Sequence, residues 1–490
     1  MEQIDIVRLL IASVVLPFVA APVSFLVPRS LVSRTSLASI VCAASSAVSF
    51  AAIMLASIGF AVDGKQAFSQ DLVSVHGIVI LGFTIDRISV LIGFAASLVG
   101  MFVCIYSVGY MAPGNREHPE AGKPRYFFFM QVFVGAMAGL VFSSTISGQL
   151  FFYEITGVCS WGLIAYYDTP KALSAGTKAL IVEHIGSLGL YFAAALFFVT
   201  AGSFSLSALG TMSPTAKTAI ILGILFAAWG KSAQFPLHIW LPDAMEAPTP
   251  VSAYLHAGSM VNIGVFIYAR ALLSAGNVPH VVGAIGAVAA TFTLVYAFFM
   301  YLPQLDLKRL LVYSTITQLA SIFLALSLST FGSKLAFNGG VAHIFNHAFA
   351  KSLFFLVAGC LSFTTGTRML PRVHGLLTKM PLVAVGFGTA ALAIAGVPPM
   401  NMFFSHFAML AGGFQASRND LPLLVLVLIS VLEAIGTFGW FLKKFGDAIP
   451  GPPSPTVAAA TAVPVSMALA LVALVALTLC SGTFAAAWVG

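Results

Sequence analysis

Residues Met212–Arg270 read MSPTAKTAIILGILFAAWGKSAQFPLHIWLPDAMEAPTPVSAYLHAGSMVNIGVFIYAR, and this stretch decides the fold. Lys231 follows the apolar run 219–230, and Pro236 comes within five residues of it. A lysine inside a membrane segment costs about 2.5–3.5 kcal/mol on insertion scales, so its presence points to function. A proline at that position lacks a backbone donor and breaks the helix. Broken helices within a bilayer occur where freed backbone or side chains line a wet cavity. Together the two features predict a membrane protein that moves ions or protons.

The rest of the chain is built for the same solvent. Of its 490 residues, 59% are hydrophobic and only 8% charged, with a mean hydropathy of +0.99. A soluble domain carries about 25% charged residues. The 42 Phe and 43 Gly suit packed spanning helices. The net charge of +7 sits in short loops rather than in a basic stripe, so no nucleic-acid partner is expected. Cys42, Cys104, Cys159, Cys360 and Cys480 are scattered singly through apolar segments without a CxxC, and read as small buried hydrophobes. The sequence offers no iron–sulfur ligand set, dinucleotide fingerprint or P-loop, which assigns redox or nucleotide chemistry to partners. Glu2 and Asp5 precede Arg8, and the run 9–27 is long for a signal peptide, so a first span is expected there.

Runs of about 20 apolar residues fit spanning helices. About fourteen are expected: 6–27, 36–61, 84–109, 125–146, 148–167, 174–201, 215–245 (broken), 250–272, 278–301, 307–329, 335–364, 381–412 (broken), 421–444 and 460–487. The segment 63–82 has the mixed polarity of an extramembrane hairpin, and the Pro-rich stretch 449–455 reads as a linker. One set of alternate loops carries Arg29, Arg34, Arg116, Lys123, Arg125, Lys171, Lys308, Arg309, Arg368, Arg372, Lys379, Lys443 and Lys444. The other has Lys65, Lys217, Arg270, Lys334 and Arg418, with Arg8 near the start. The excess marks the first set as cytoplasmic, which places both termini outside, in the periplasm of a bacterial cell with this chain in its inner membrane. The breaks in the seventh and twelfth spans are an inverting distance apart. They predict two five-helix repeats of opposite orientation, 125–273 and 278–444, preceded by three helices over 1–110 and followed by a last helix over 460–487. The expected fold is therefore an all-α membrane protein.

Ionisable residues inside these spans form the candidate site. Glu154, in QLFFYEITG of the fifth span, has no local charge partner, and Lys231 is its expected one, as a titrating pair or as a structural salt bridge. The sixth span holds Lys178, which could snorkel at the membrane edge, then Glu183, which could pair with a neighbour, and the deeper His184. The eighth contributes His256 and Asn262. In VAHIFNHAFAKSLFF, His343, His347 and Lys351 fall at i, i+4 and i+8, on one helix face, about 12 Å from first to last. A histidine pair at that spacing could hold zinc, yet there is no HExxH and no third ligand, and a proton relay fits better. His406 follows the Pro398-Pro399 break, and Glu433 lies in the thirteenth span. The expected proton pathway is Glu154, His184, Lys231, His256, His343, His347, Lys351, His406 and Glu433, with no catalytic residue, metal or cofactor in this chain.

GKSAQFPLHIWLPDAMEAPTPVSAYLHAGSMV resembles the signature of the antiporter-like subunits of respiratory complex I and of Mrp-type sodium/proton antiporters. Five further stretches are similar to component D of hydrogenase-4, an energy-converting [NiFe]-hydrogenase related to formate hydrogenlyase. They are GNREHPEAGKPRYF, GAMAGLVFSSTISGQLFFYEITG, HIGSLGLYFAAA, FMYLPQLDLKRLLVYSTITQL and HAFAKSLFFLVAG. The resemblance implies fourteen helices, two inverted five-helix repeats and a central hydrophilic axis. It places Glu154 at the family's fifth-span glutamate, Lys231 at its seventh-span lysine, and His347 and Lys351 at its eleventh-span His/Lys positions. It implies partners in other antiporter-like membrane subunits and a peripheral hydrogenase redox arm, where the NiFe centre and iron–sulfur clusters would reside. His406 stands where many members have lysine, and Asn262 where some do. His184 and Ser187 stand where many complex I subunits have Arg and Asp. The end of the chain just after the last span argues against the largest complex I antiporter-like subunit, which has a long lateral helix.

The expected function is an ion-translocating, non-redox subunit that couples partner redox chemistry to proton movement. Three alternatives remain: a complex I or Mrp-type subunit, a non-conducting structural subunit, or a self-standing antiporter.

Overall fold

The computed structural model describes residues 2–26, 34–64, 66–118 and 124–490. Arg29, Lys65 and Lys123, used above for orientation, lie outside the described residues. The chain is a multi-pass membrane protein of packed helices. Among the described residues, eleven helices are long and apolar enough to cross a membrane: Gln3–Leu26, Leu37–Val62, Arg87–Tyr110, Pro124–Phe142, Pro170–Ala201, Thr249–Ala275, His280–Tyr301, Leu307–Ser329, Lys334–Thr365, Leu421–Ala448 and Val465–Val489. The other expected spans are also helical. One is Ile146–Ile164, and the two broken ones are Pro214–Lys231 and Pro381–Ile394 with Asn401–Ala416.

Burial orders these helices from periphery to centre. Lys334–Thr365 is wholly buried in its most apolar window and Leu307–Ser329 is 94% buried, whereas Leu421–Ala448 is only 28% buried. The face that carries His343, His347 and Lys351 therefore runs along the helix at the middle of the bundle. Helix ends follow local chemistry. Thr169 and Ser213 cap Pro170–Ala201 and Pro214–Lys231 through Ala172 N and Ala216 N, with proline in the first turn of each helix. Asp86 and Ser89 form a reciprocal box at the start of Arg87–Tyr110.

The segment expected as a hairpin is one. Phe68–Val75 pairs antiparallel with Ile78–Ile85, and the turn between them uses His76 and Gly77 at positive φ. It lies across the ends of neighbouring helices: Ser144 N donates to Gly82 O, and Thr145 and Ser147 donate to Ile80 O. Loops that the charge pattern assigned to one side meet one another. Arg368 pairs with Glu117 and Asp306, Lys171 with Glu246, and Arg125 with Asp168. Burial would depress the charge on Arg368, but the two carboxylates outweigh it and hold its pKa above the ordinary arginine value.

One element departs from expectation. The eighth span was expected as one uninterrupted helix. In the structure Thr249–Ala253 passes through a π-helical turn at Tyr254–Gly258 before Met260–Ala275 resumes. Ser259 leaves helical geometry there, and Asn262 Nδ2 donates to Ala257 O at 2.5 Å. Such widened turns recur at functional positions, and this one contains His256.

Candidate functional site

The first cluster is built where the seventh span stops. Pro214–Lys231 ends at Ser232, Ala233 takes a left-handed φ of 48°, and the buried Trp240 donates its indole N–H to Gly230 O at 3.0 Å. That bond fills one of the carbonyls a helix end leaves open. Lys231 is thereby held, fully buried, at a helix C-terminus, whose partial negative charge suits a cation.

The partner of Lys231 is Glu183, not Glu154. Lys231 Nζ donates to Glu183 Oε2 at 2.8 Å, with side-chain exposures of 1% and 2%. Ser160 Oγ lies 3.3 Å from Glu183 Oε1, and the ammonium sits 4.5 Å from the centre of the Tyr153 ring. The pairing follows from how two helices touch. Pro170–Ala201 and Pro214–Lys231 meet through glycines: a Cβ on Gly186 would lie 2.9 Å from Gly230 Cα, and one on Gly189 would lie 2.3 Å from Gly223 O. Small residues let the backbones approach closely, and Glu183 projects from that same seam.

Glu154 and His184 occupy the opposite face. Glu154 Oε2 lies 3.4 Å from His184 Nδ1, and His184 is 58% exposed on the lateral surface. Glu154 lies one turn from the exposed Phe151 and Val158, whereas Tyr153, Gly157 and Ser160 of the same helix face the Lys231 cluster. The sequence reading thus missed Glu183 as a site residue. The signal was present: Gly176, Ala179, Glu183, Gly186 and Leu190 fall on one helical face, which is buried and carries the small residues, while Ile181, His184, Ile185 and Leu188 make the outward one.

The second cluster joins the middle helix to the other break. His343 Nδ1 lies 2.9 Å from Ser405 Oγ, and its Nε2 lies 2.9 Å from Gln318 Oε1. The His343 and His406 rings are 4.6 Å apart. The break between Pro381–Ile394 and Asn401–Ala416 turns through Gly396 at φ 70°, where a Cβ would lie 3.2 Å from His406 Nδ1. Asn346 and Asn401 bind each other's backbone carbonyls at 3.0 and 2.9 Å, which fixes the restarted helix against the middle one. Lys351 Nζ donates to Ser314 Oγ at 2.5 Å and to Leu311 O at 3.3 Å. Glu433 is buried, accepts a hydrogen bond from Thr437, and shares a small cavity with His406 and Ser321.

Between the clusters stand His256 and His347. Both are fully buried, and among the described residues neither ring nitrogen of either has a hydrogen-bond partner in the protein. His256 stacks on Phe355, 4.8 Å between ring centres, one turn beyond Lys351 on the middle helix. The nearby Tyr254 hydroxyl and Asn262 Oδ1 are likewise unpaired and buried. Buried polar groups in native proteins are satisfied by protein or by ordered water, so this region is suited to water. The arrangement can pass a proton between neutral and charged imidazole and amine groups.

A model of the NADH:quinone oxidoreductase/Mrp antiporter transmembrane region matches residues 143–434, which contain every histidine, lysine and glutamate of these clusters. The chain belongs to that family. A second model, for the N-terminus of NADH-Ubiquinone oxidoreductase (complex I) chain 5, matches residues 77–127. NAD(P)H-quinone oxidoreductase chain 5 of Picosynechococcus sp. is 33% identical over 357 residues, 69% of this chain and 52% of that one. Na(+)/H(+) antiporter subunit A1 of Staphylococcus aureus is 34% identical over 385 residues, 73% of this chain and 47% of that one. The Mrp complex of Dietzia sp. DQ12-45-1b contains a chain that superposes with a TM-score of 0.82 at 28% identity, covering 98% of this chain and 51% of that one. This chain therefore spans about half the length of the curated relatives it matches.

Proposed function

We propose that this family member is a proton-translocating, antiporter-like subunit of a multi-subunit membrane oxidoreductase. The observation that carries the reading is the set of fully buried Lys231, His256, His343, His347 and Lys351, whose charge is costly in a bilayer unless it is used. In this reading Glu183 and Lys231 form the switch. Separating the pair frees the lysine to release its proton, and His256, His347, Lys351, His343 and His406 relay it, with Glu433 beside the last. The two breaks would relate two inverted repeats, 125–273 and 278–444. Glu154 and His184 would face a neighbouring antiporter-like subunit, because a carboxylate on a lateral apolar face is costly against lipid.

The five stretches similar to component D favour a hydrogenase-4-type complex, with the NiFe centre and iron–sulfur clusters in a peripheral arm. A second reading, a quinone-oxidoreductase or Mrp-type subunit, is favoured by the names of the matched relatives. The location would be the inner membrane, with both termini in the periplasm. Native purification followed by metal analysis separates the two readings: nickel with iron in the complex supports the first, and a complex without nickel that shows quinone reductase or sodium/proton exchange activity supports the second. The translocation reading is tested with Lys231→Met in the assembled complex reconstituted into vesicles. Redox turnover with lost or sharply reduced acidification is expected. Full acidification by a well-assembled variant would leave the subunit a structural one.

A further inference from the structure

A deep groove opens at the face that carries the C-terminus. It has a volume of about 730 Å³, within the range of about 300–1,000 Å³ typical of small-molecule sites. Its walls come from parts of the chain far apart in sequence: Arg87 and Ile88, Leu272 and Asn277, the turn and helix start Ser329–Val341, and Val489 at the end of the last helix. Arg87 and Lys334 are each the first residue of a spanning helix, so the groove lies at headgroup depth, where bilayer meets water.

Charge in the groove is unbalanced. Asp86 lines it too, but both its carboxylate oxygens are bound by the buried Arg270 guanidinium, so that pair is internally neutral. Arg87 and Lys334 are exposed, and among the described residues neither is paired with a carboxylate. Both begin long helices, whose N-termini add partial positive charge. The remaining walls are largely apolar, with Ile88, Leu272, Phe337 and Val341 below the two cations. A soluble anion would satisfy the cations and leave those walls bare. A molecule with a phosphate at one end and an alkyl chain at the other satisfies both.

We propose that this groove binds one anionic phospholipid, its phosphate between Arg87 and Lys334 and an acyl chain against Ile88, Leu272, Phe337 and Val341. The lipid would tie the leading helices, both halves of the antiporter-like core and the last helix together at one face. It is independent of whether the chain conducts protons.

The test uses the full chain, purified and delipidated in detergent, with phosphatidylglycerol, phosphatidylcholine and inorganic phosphate as probes. Binding is read by native mass spectrometry and by the shift in thermal midpoint. Phosphatidylglycerol should bind and stabilise, while phosphatidylcholine binds more weakly and phosphate alone gives no shift. Each juxtamembrane cation contributes about five-fold in affinity for an anionic surface, so Arg87→Gln or Lys334→Gln should weaken phosphatidylglycerol about five-fold and the double variant about 25-fold. Arg418→Gln, a cation outside the groove, should not, and Arg87→Lys should retain most of the binding. Equal affinity of the double variant and the parent would overturn the proposal. So would equal binding of phosphatidylcholine, and stabilisation by phosphate alone would show an anion site without a lipid.

Discussion

Replacing Glu183 by Gln should unsettle this protein far more than replacing Glu154 by Gln. Glu183 is 2% exposed and 2.8 Å from an ammonium that is itself 1% exposed. Removing one partner of such a pair strands the other charge in a low-dielectric interior, at a cost of about 3–5 kcal/mol. Lys231→Met should cost about the same, for the same reason. The double variant, Glu183→Gln with Lys231→Met, removes both charges and should lie near either single variant or closer to the parent. That gives a coupling of about 3 kcal/mol or more between the two sites. Glu154 is different. Its partner is His184, 3.4 Å away and 58% exposed, while Lys231 already holds Glu183, so Glu154→Gln strands no buried ammonium and should couple to Lys231 only weakly. The measurement is reversible unfolding in mixed micelles, run on the parent, the single variants and both pairwise doubles. Coupling of Lys231 to Glu154 that equals or exceeds its coupling to Glu183 would refute the pairing and restore the one read from the sequence.

Three further outcomes are expected. Gly189→Leu should prise Pro170–Ala201 from Pro214–Lys231, because even a Cβ there would lie 2.3 Å from Gly223 O; loss of several kcal/mol of stability and of coupled transport should appear together, and a silent variant would disprove the close seam. His406→Leu should block coupled transport. His406→Lys should preserve it with altered pH dependence, since the ordinary pKa values of the two groups differ by about four units, and identical pH profiles for Leu, Lys and parent would remove His406 from the relay. Reporter fusions at Gly490 and within 366–380 should read out on opposite sides of the membrane, the latter cytoplasmic, and a shared side would break the alternation of spans.

Much of this architecture was legible without coordinates. Hydropathy sums over about 20 residues and needs no knowledge of neighbours, so helices appear at each expected span. Pro236 and Pro398-Pro399 announce the two breaks because a missing N–H is a local fact. The i, i+4, i+8 spacing of His343, His347 and Lys351 is likewise intrinsic to one helix. What no single segment contains is which faces meet. Glu154 and Glu183 are both acids within apolar runs, and only the glycine contacts at Gly186–Gly230 and Gly189–Gly223 turn Glu183 inward, while Glu154, on a different helix, stays on the flank. The π-helical turn at His256 and the fold of His406 back onto His343 belong to the same class. So does the gathering of Arg87 and Lys334, nearly 250 positions apart, around one groove. Composition and periodicity set what each helix is, whereas side-chain volume at the seams decides which buried charges become neighbours.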